Sequence, residues 1–257
     1  MRLEAQGLVK QFGDAFTLSI PELVVEDGAA FGLVGNNGAG KTTFLRLALD
    51  LLRPDEGHVA LGGARVADSS GWKKRTSAHL GASFLIDFLT PDEFFGFVGS
   101  TYNLSPGEVE QRLDSYRSFF TDDVLGPDAR YIRDLSTGNA KKVGVVAALL
   151  PRPELLVLDE PFANLDPRSQ IQLKDLLRRR RTEHGTTMVI SSHDLLHVTD
   201  VCERIAVLDE GCIARDEPTT PETLDTLEAY FAGEDRAAAP SSVETATSSG
   251  NGSARPA

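Results

Sequence analysis

The chain has 257 residues, 41% of them hydrophobic, so it is long and apolar enough to bury a substantial core, and disorder throughout is excluded. A formal charge of -12 gives it a surface field that repels phosphate backbones, which removes non-specific nucleic-acid binding from the leading readings. Apolar runs such as 145–150 fall far short of the roughly 18 to 20 residues needed to cross a bilayer, so any action at a membrane requires a separate anchoring partner.

In chain order, residues 3–9 and 16–20 alternate in the manner of half-buried strands, and 30–34 form an apolar strand that runs straight into glycines. From Lys41 the apolar positions Phe44, Leu45, Ala48, Leu49 and Leu52 recur at three and four, which predicts a helix stopping at Arg53-Pro54. A strand is expected over 80–84. Residues 91–134, with Phe94, Phe95, Phe97, Val98, Val109, Leu113, Tyr116 and Phe120 at helical spacing, predict a helical insertion. There follow an expected strand 155–158, helix 168–181, strand 186–190, helix 194–202, strand 204–208 and helix 221–231. Such alternation implies a parallel sheet with helices on its faces. The basic run 178–181 reads as a solvated helix face, and Cys202 and Cys212, without metal-ligand spacing, as core or near-core thiols of a reducing compartment. Residues 234–257 hold Val243 as their only large aliphatic residue and no aromatic, too little apolar surface to offset ordering, so they are expected to be a disordered tail.

Gly35-Asn36-Asn37-Gly38-Ala39-Gly40-Lys41-Thr42 matches the G-x-x-x-x-G-K-[ST] pattern between an expected strand and an expected helix. Glycines let successive backbone N–H groups converge on one anion, the helix adds its positive end, and Lys41 adds a full charge for the β- and γ-phosphates of ATP. Thr42, followed by Thr43, supplies a hydroxyl for Mg²⁺. The strand 155–158 delivers Asp159 and Glu160 at its carboxyl end, where ligands bind in open α/β sheets. Asp159 is expected in the Mg²⁺ shell and Glu160 as the base that polarises a water for attack on the γ-phosphate. His193, also at a strand's carboxyl end, is a candidate donor to that phosphate.

These features alone fit a kinase, a GTPase or a motor. Leu135-Ser136-Thr137-Gly138-Asn139, just before the acidic strand, resembles the L-S-G-G-Q signature of ABC-type ATPases. Asp159-Glu160-Pro161 with Asn164-Leu165-Asp166 looks like that family's acidic strand and D-loop, His193 like its switch histidine, and Phe12 falls where the family stacks an aromatic on adenine. The resemblance covers residues 1–232. It implies an α/β, RecA-like P-loop core with an N-terminal antiparallel β subdomain and an α-helical subdomain inserted at about 88–150, the ATPase domain being 1–233. It also implies a head-to-tail pair of ATPase subunits in which Ser136, Thr137, Gly138 and Asn139 of one chain close over ATP on the other. A separate membrane-spanning chain would then hold the pair at the cytoplasmic face of the membrane. Thr137 and Asn139 depart from the usual signature in a way that resembles exporter-type subunits. The family's Gln after the 80–84 strand is absent; this chain reads Leu85-Ile86-Asp87-Phe88-Leu89, and Asp87 is the nearest polar substitute for an Mg²⁺ contact. Lys141 and Lys142 near the start of the signature helix oppose its dipole unless an anion or partner lies close. A soluble ABC ATPase acting in cofactor or complex assembly, and a regulatory subunit of low turnover, remain alternatives.

Overall fold

The computed structural model describes residues 1–121 and 124–233; the tail expected over 234–257 lies outside the described residues. Ten strands form one sheet: β1 (Leu3–Phe12), β2 (Phe16–Val25), β3 (Ala30–Val34), β4 (Glu56–Leu61), β5 (Ala64–Arg65), β6 (Thr76–His79), β7 (Leu155–Asp159), β8 (Thr187–Ser192), β9 (Arg204–Asp209) and β10 (Cys212–Pro218), in the order β5-β4-β1-β2-β10-β9-β3-β8-β7-β6. The helices are α1 (Lys41–Ala48), α2 (Pro91–Thr101), α3 (Pro106–Asp114), α4 (Thr137–Leu149), α5 (Pro167–His184), α6 (Leu195–Val201) and α7 (Thr223–Ala232).

Half of the sheet is antiparallel, with β1 pairing β2 and β4 in that sense, and half is parallel, with β3 between β8 and β9 and β7 between β8 and β6. β10 joins the two, antiparallel to β9 and touching β2 through one parallel bridge, Cys212 to Ser19. The central strands are buried along their whole length because both faces are covered, which is why they read as unbroken apolar runs. Period-two alternation sends their side chains to opposite cores. Leu155, Val157, Val189, Ala206 and Leu208 pack with α1 and the antiparallel strands, whereas Leu156, Leu158, Met188, Ile190, Ile205 and Val207 pack under α2 to α7.

Helices α2 and α3 begin with the same device, a capping box and a proline: Thr90 with Glu93, then Ser105 with Glu108. The helical segment over 91–134 is therefore two short helices, α2 and α3, together with 3-10 turns at Arg117–Phe119 and Ile132–Asp134. Three expectations need correction. The strand placed at 80–84 is Thr76–His79, with Ala82–Phe84 a 3-10 turn; β6 pairs only with β7, its polar sequence hid it, and Gly81 at φ 115 breaks the extended chain. Helix α1 ends at Ala48 because Asp50 turns left-handed at φ 54. Cys212 is exposed on β10, a half-exposed strand rich in charge, and only Cys202 is a core thiol.

Among the described residues, no helix is long and apolar enough to cross a membrane.

Candidate functional site

Strand β3 ends at Val34 and the chain turns through 35–40 into α1. Glycine is required there on two counts. A Cβ on Gly35 would lie 2.2 Å from the Leu208 carbonyl oxygen, and Gly40 has φ 109 with the Phe16 ring 2.8 Å from its missing Cβ. Gly38 is also left-handed, at φ 87. Buried Lys41 folds back over the loop, its Nζ donating to the carbonyls of Gly35 (2.6 Å) and Asn36 (3.2 Å) and lying 3.5 Å from Glu160 Oε1. Above the loop opens a cavity of about 390 Å³ walled by Phe12, Phe16, Asn36, Asn37, Gly38, Gly40 and Lys41, with Thr42, Thr43, Asp159 and Glu160 completing it. Phe12 is 43% exposed at the end of the β1–β2 hairpin, its ring 6.2 Å from that of Phe16. Phe16 was missed by sequence reasoning; its pairing with Phe12 across the Gly13 turn was the available signal. Ala39 lines an adjoining hollow together with Asp209 and Glu210.

Three elements bring the carboxylates to this cavity. Asp159, at the end of β7, accepts from Thr42 Oγ1 through Oδ2 (2.6 Å) and from the Ser191 hydroxyl through Oδ1. Glu160 is left-handed at φ 49, its N–H donating to Ser191 Oγ (3.0 Å) and Ser191 O (3.2 Å). Its Oε2 is held by His193, at 3.3 Å from the backbone N–H and 2.9 Å from Nδ1. Its Oε1 is buried and accepts no hydrogen bond. Ser191, which ties the Asp159 carboxylate and the Glu160 backbone to β8, was not foreseen. Thr42 and Asp159 present adjacent hard oxygens of the kind Mg²⁺ takes, and no cluster of three or more ligating side chains exists among the described residues. Two such oxygens leave the remaining positions of an ion to phosphate oxygens and water, so the residues fit Mg²⁺.

The signature residues stand apart from the loop of their own chain: none of Ser136, Thr137, Gly138 and Asn139 lines the 390 Å³ cavity. Ser136 caps α4 by accepting from the Asn139 N–H (3.2 Å), and Gly138 lies so close to the Asn164 carbonyl that a Cβ would meet it at 2.9 Å. The chain itself supplies the anions that the two lysines require. Lys142 is buried 3.8 Å from Asp166 Oδ2 and over the Phe119 ring. Lys141 Nζ donates to the Glu160 carbonyl at 3.0 Å; burial lowers its pKa, and the charges of Asp159 and Glu160 oppose that shift.

Asp87 is placed away from the phosphate loop. The segment 86–89 is pinned to the chain before α4, with Arg133 N–H donating to Asp87 O and Ile132 N–H to Leu89 O, both at 2.9 Å. Asp87 therefore lines a second cleft of about 470 Å³, shared with His79, Arg133, Thr137, Lys141 and Asn164, and not the cavity that holds Thr42 and Asp159. His79 is buried there with Nε2 unpartnered, its ring against Gly144, and burial followed by the Lys141 charge pulls its pKa down from 6.5 to about 4. Of the five phenylalanines between 84 and 97, Phe94 and Phe95 are core, whereas Phe84 and Phe97 are 48% and Phe88 62% exposed.

Residues 18–163 match the family model described as ABC transporter. An uncharacterised ABC transporter ATP-binding protein of Synechocystis is 33% identical over 74% of this chain and 53% of its own length, so the chain spans about half the length of such curated relatives. The structure of an ATP-binding subunit of an ABC transporter superposes with a TM-score of 0.76 at 27% identity, covering 93% of this chain and 96% of its own. A dimeric ATP-binding cassette bound to ADP and phosphate aligns with a TM-score of 0.75 at 23% identity over 85% and 99% of the two chains, a likeness of fold. The α/β sheet, the phosphate loop that ends its central strand and this match over more than half of the sequence place the chain in the ABC transporter family, among its ATP-binding proteins.

Proposed function

We propose that this chain binds ATP with Mg²⁺ on the phosphate loop and hydrolyses it to drive transport through a separate membrane-spanning chain, as one of two ATPase subunits arranged head to tail. The observation that carries the reading is Glu160: Oε2 is fixed by His193, while Oε1 has no hydrogen-bond partner and lies 3.5 Å from Lys41 in the cavity of the phosphate loop. The phosphates would replace the carbonyls that now engage Lys41, and adenine would stack on the exposed ring of Phe12, with Phe16 behind it. Thr42 and Asp159 would hold Mg²⁺, which when bound neutralises charge on the phosphate oxygens. A water accepted by Glu160 attacks the γ-phosphorus, the bond to the bridging oxygen of the β-phosphate breaks, and ADP leaves with that electron pair. The water's proton passes to Glu160. His193, hydrogen-bonded to Oε2, orients that carboxylate.

The distance of Ser136 to Asn139 from their own phosphate loop supports the paired arrangement, as does the dimeric cassette that shares this fold. The exposed rings of Phe84, Phe88 and Phe97, on a chain with no described spanning helix, support a membrane partner whose apolar segment covers them, with the pair lying on the cytoplasmic face. Turnover of Glu160→Gln is the test. It is expected to fall at least about a hundredfold with ATP binding intact, as removal of a general base does. Lys41→Ala should instead weaken ATP binding itself. A Glu160→Gln variant that hydrolyses ATP at the wild-type rate would refute the assignment.

A further inference from the structure

Glu160 occupies a backbone conformation that a residue with a Cβ adopts only when its surroundings impose it, φ 49 at the very end of β7. Hydrogen bonds on both sides hold it, among them a turn in which the Ala163 N–H donates to the Glu160 carbonyl at 3.3 Å. On one side Ser191 accepts the Glu160 N–H; on the other the ammonium of Lys141 donates to the Glu160 carbonyl at 3.0 Å. Lys141 does not belong to β7 or to the phosphate loop. It comes from the first turns of α4, the helix capped by Ser136, and reaches across to the strand end.

We propose that Lys141 is a positioning residue for ATP hydrolysis: by gripping the carbonyl of Glu160 it holds the left-handed turn that aims this carboxylate at the phosphate loop, and so ties the signature helix to the hydrolytic base. The inference rests on the reading of Glu160 given above and adds to it a residue from a different element. The surroundings of Lys141 fit this role better than a packing role. Lys141 lines the second cleft beside His79, Ala140 and Leu135, while the carboxylates whose charges act on it are Asp159 and Glu160. A half-buried ammonium with an apolar wall on one side is favoured only where an acceptor and negative charge meet it on the other. Because the bond spans α4 and β7, a shift of α4 along the strand would lengthen it and loosen Glu160 without touching Lys41 or the glycines.

The full chain carrying Lys141→Met, which keeps the length of the side chain and removes its charge and donor, tests this against Lys141→Arg, which keeps both. For Lys141→Met, kcat is expected to fall about tenfold or more while KM for ATP stays within about twofold, since loss of alignment at the reacting carboxylate acts on the chemical step. Lys141→Arg should recover most of that loss. Amide hydrogen exchange over 159–163, measured without nucleotide, should quicken in the Met variant and not in the Arg variant. An unchanged kcat in Lys141→Met, a KM that rises as far as kcat falls, or an Arg variant as impaired as the Met variant would overturn the proposal. If Lys141→Met melts early, Lys141→Leu, which also lacks charge and donor, takes its place under the same criteria. Wild-type turnover in Glu160→Gln would sink the reading of Glu160 itself, whereas Glu160-dependent turnover that ignores Lys141 sinks this inference alone.

Discussion

The phosphate loop and the segment 80–90 follow two strands of the same parallel half-sheet, β3 and β6, and they leave those strands in opposite ways. After β3, the glycines sit against other parts of the chain, Gly35 on Leu208 and Gly40 on Phe16, so the loop is a packed surface that presents its backbone inward to a ligand. After β6, Gly81 adopts φ 115 with nothing within 4 Å of a would-be Cβ, and the chain beyond it turns the rings of Phe84 and Phe88 outward. One strand end packs its glycines against the chain below the cavity that holds Lys41; the other displays apolar side chains and encloses a cleft. The difference teaches that position in the sheet sets where function gathers, while local packing sets whether backbone or side chain performs it.

The comparison is tested most strongly at His79, the last residue of β6. Its pKa falls from 6.5 to about 4 in the folded chain, so below 6.5 the unfolded state binds the proton that the folded state refuses. Stability from this residue is therefore present above pH 6.5 and is lost as pH falls through the window down to about 4, by up to about 3 kcal/mol. In denaturant melts across that window the stability of wild type should fall relative to that of His79→Gln as pH drops. Parallel curves would show that the cleft does not keep the ring neutral.

Next in size is Gly40→Ala. A left-handed φ of 109 and the Phe16 ring at 2.8 Å both oppose a Cβ, and strain of about 1–3 kcal/mol is expected to appear mainly as weaker ATP binding, read by titration calorimetry. Gly81→Ala, with a similar φ but open space around it, should lower stability alone; if it weakens ATP binding as much as Gly40→Ala does, the contrast between the two loops is false. The smallest effect is expected at Phe88→Ser. At 62% exposure the ring contributes little to the fold, so the free energy of unfolding should change by no more than about 0.5 kcal/mol while co-purification with a membrane chain is lost. Unfolding of that variant would make the ring core, and normal co-purification would move the docking surface elsewhere.

Much of the site was legible because its residues are dictated by local chemistry. A run such as Leu155 to Leu158 is apolar because both faces of β7 are covered, and a carboxylate pair at its end can only lie at the sheet's carboxyl edge. The glycines and Lys41 are readable for the same reason: a loop that turns its N–H groups to one anion leaves few choices of residue. β6 and β10 were not legible, since each is a short polar or half-exposed strand whose pairing is a long-range matter, β6 with β7 and β10 with β9 and β2. Asp87 is the nearest polar substitute for the Gln that the family resemblance implies; the hydrogen bonds of 87 and 89 to 132 and 133 carry it to another cleft.

The sequence by itself determined the phosphate loop, the acidic pair, the signature and the α/β alternation, because each depends on residues close together in the chain. Only the tertiary structure decided that Ser191 would lock Asp159 and Glu160 to β8, that Phe16 would back Phe12, and that Lys141 would reach Glu160 from another element. Those contacts join Lys141 to Glu160 across 19 residues and Asp159 to Ser191 across 32, and such partners are chosen by how helices and strands pack, which no local pattern encodes.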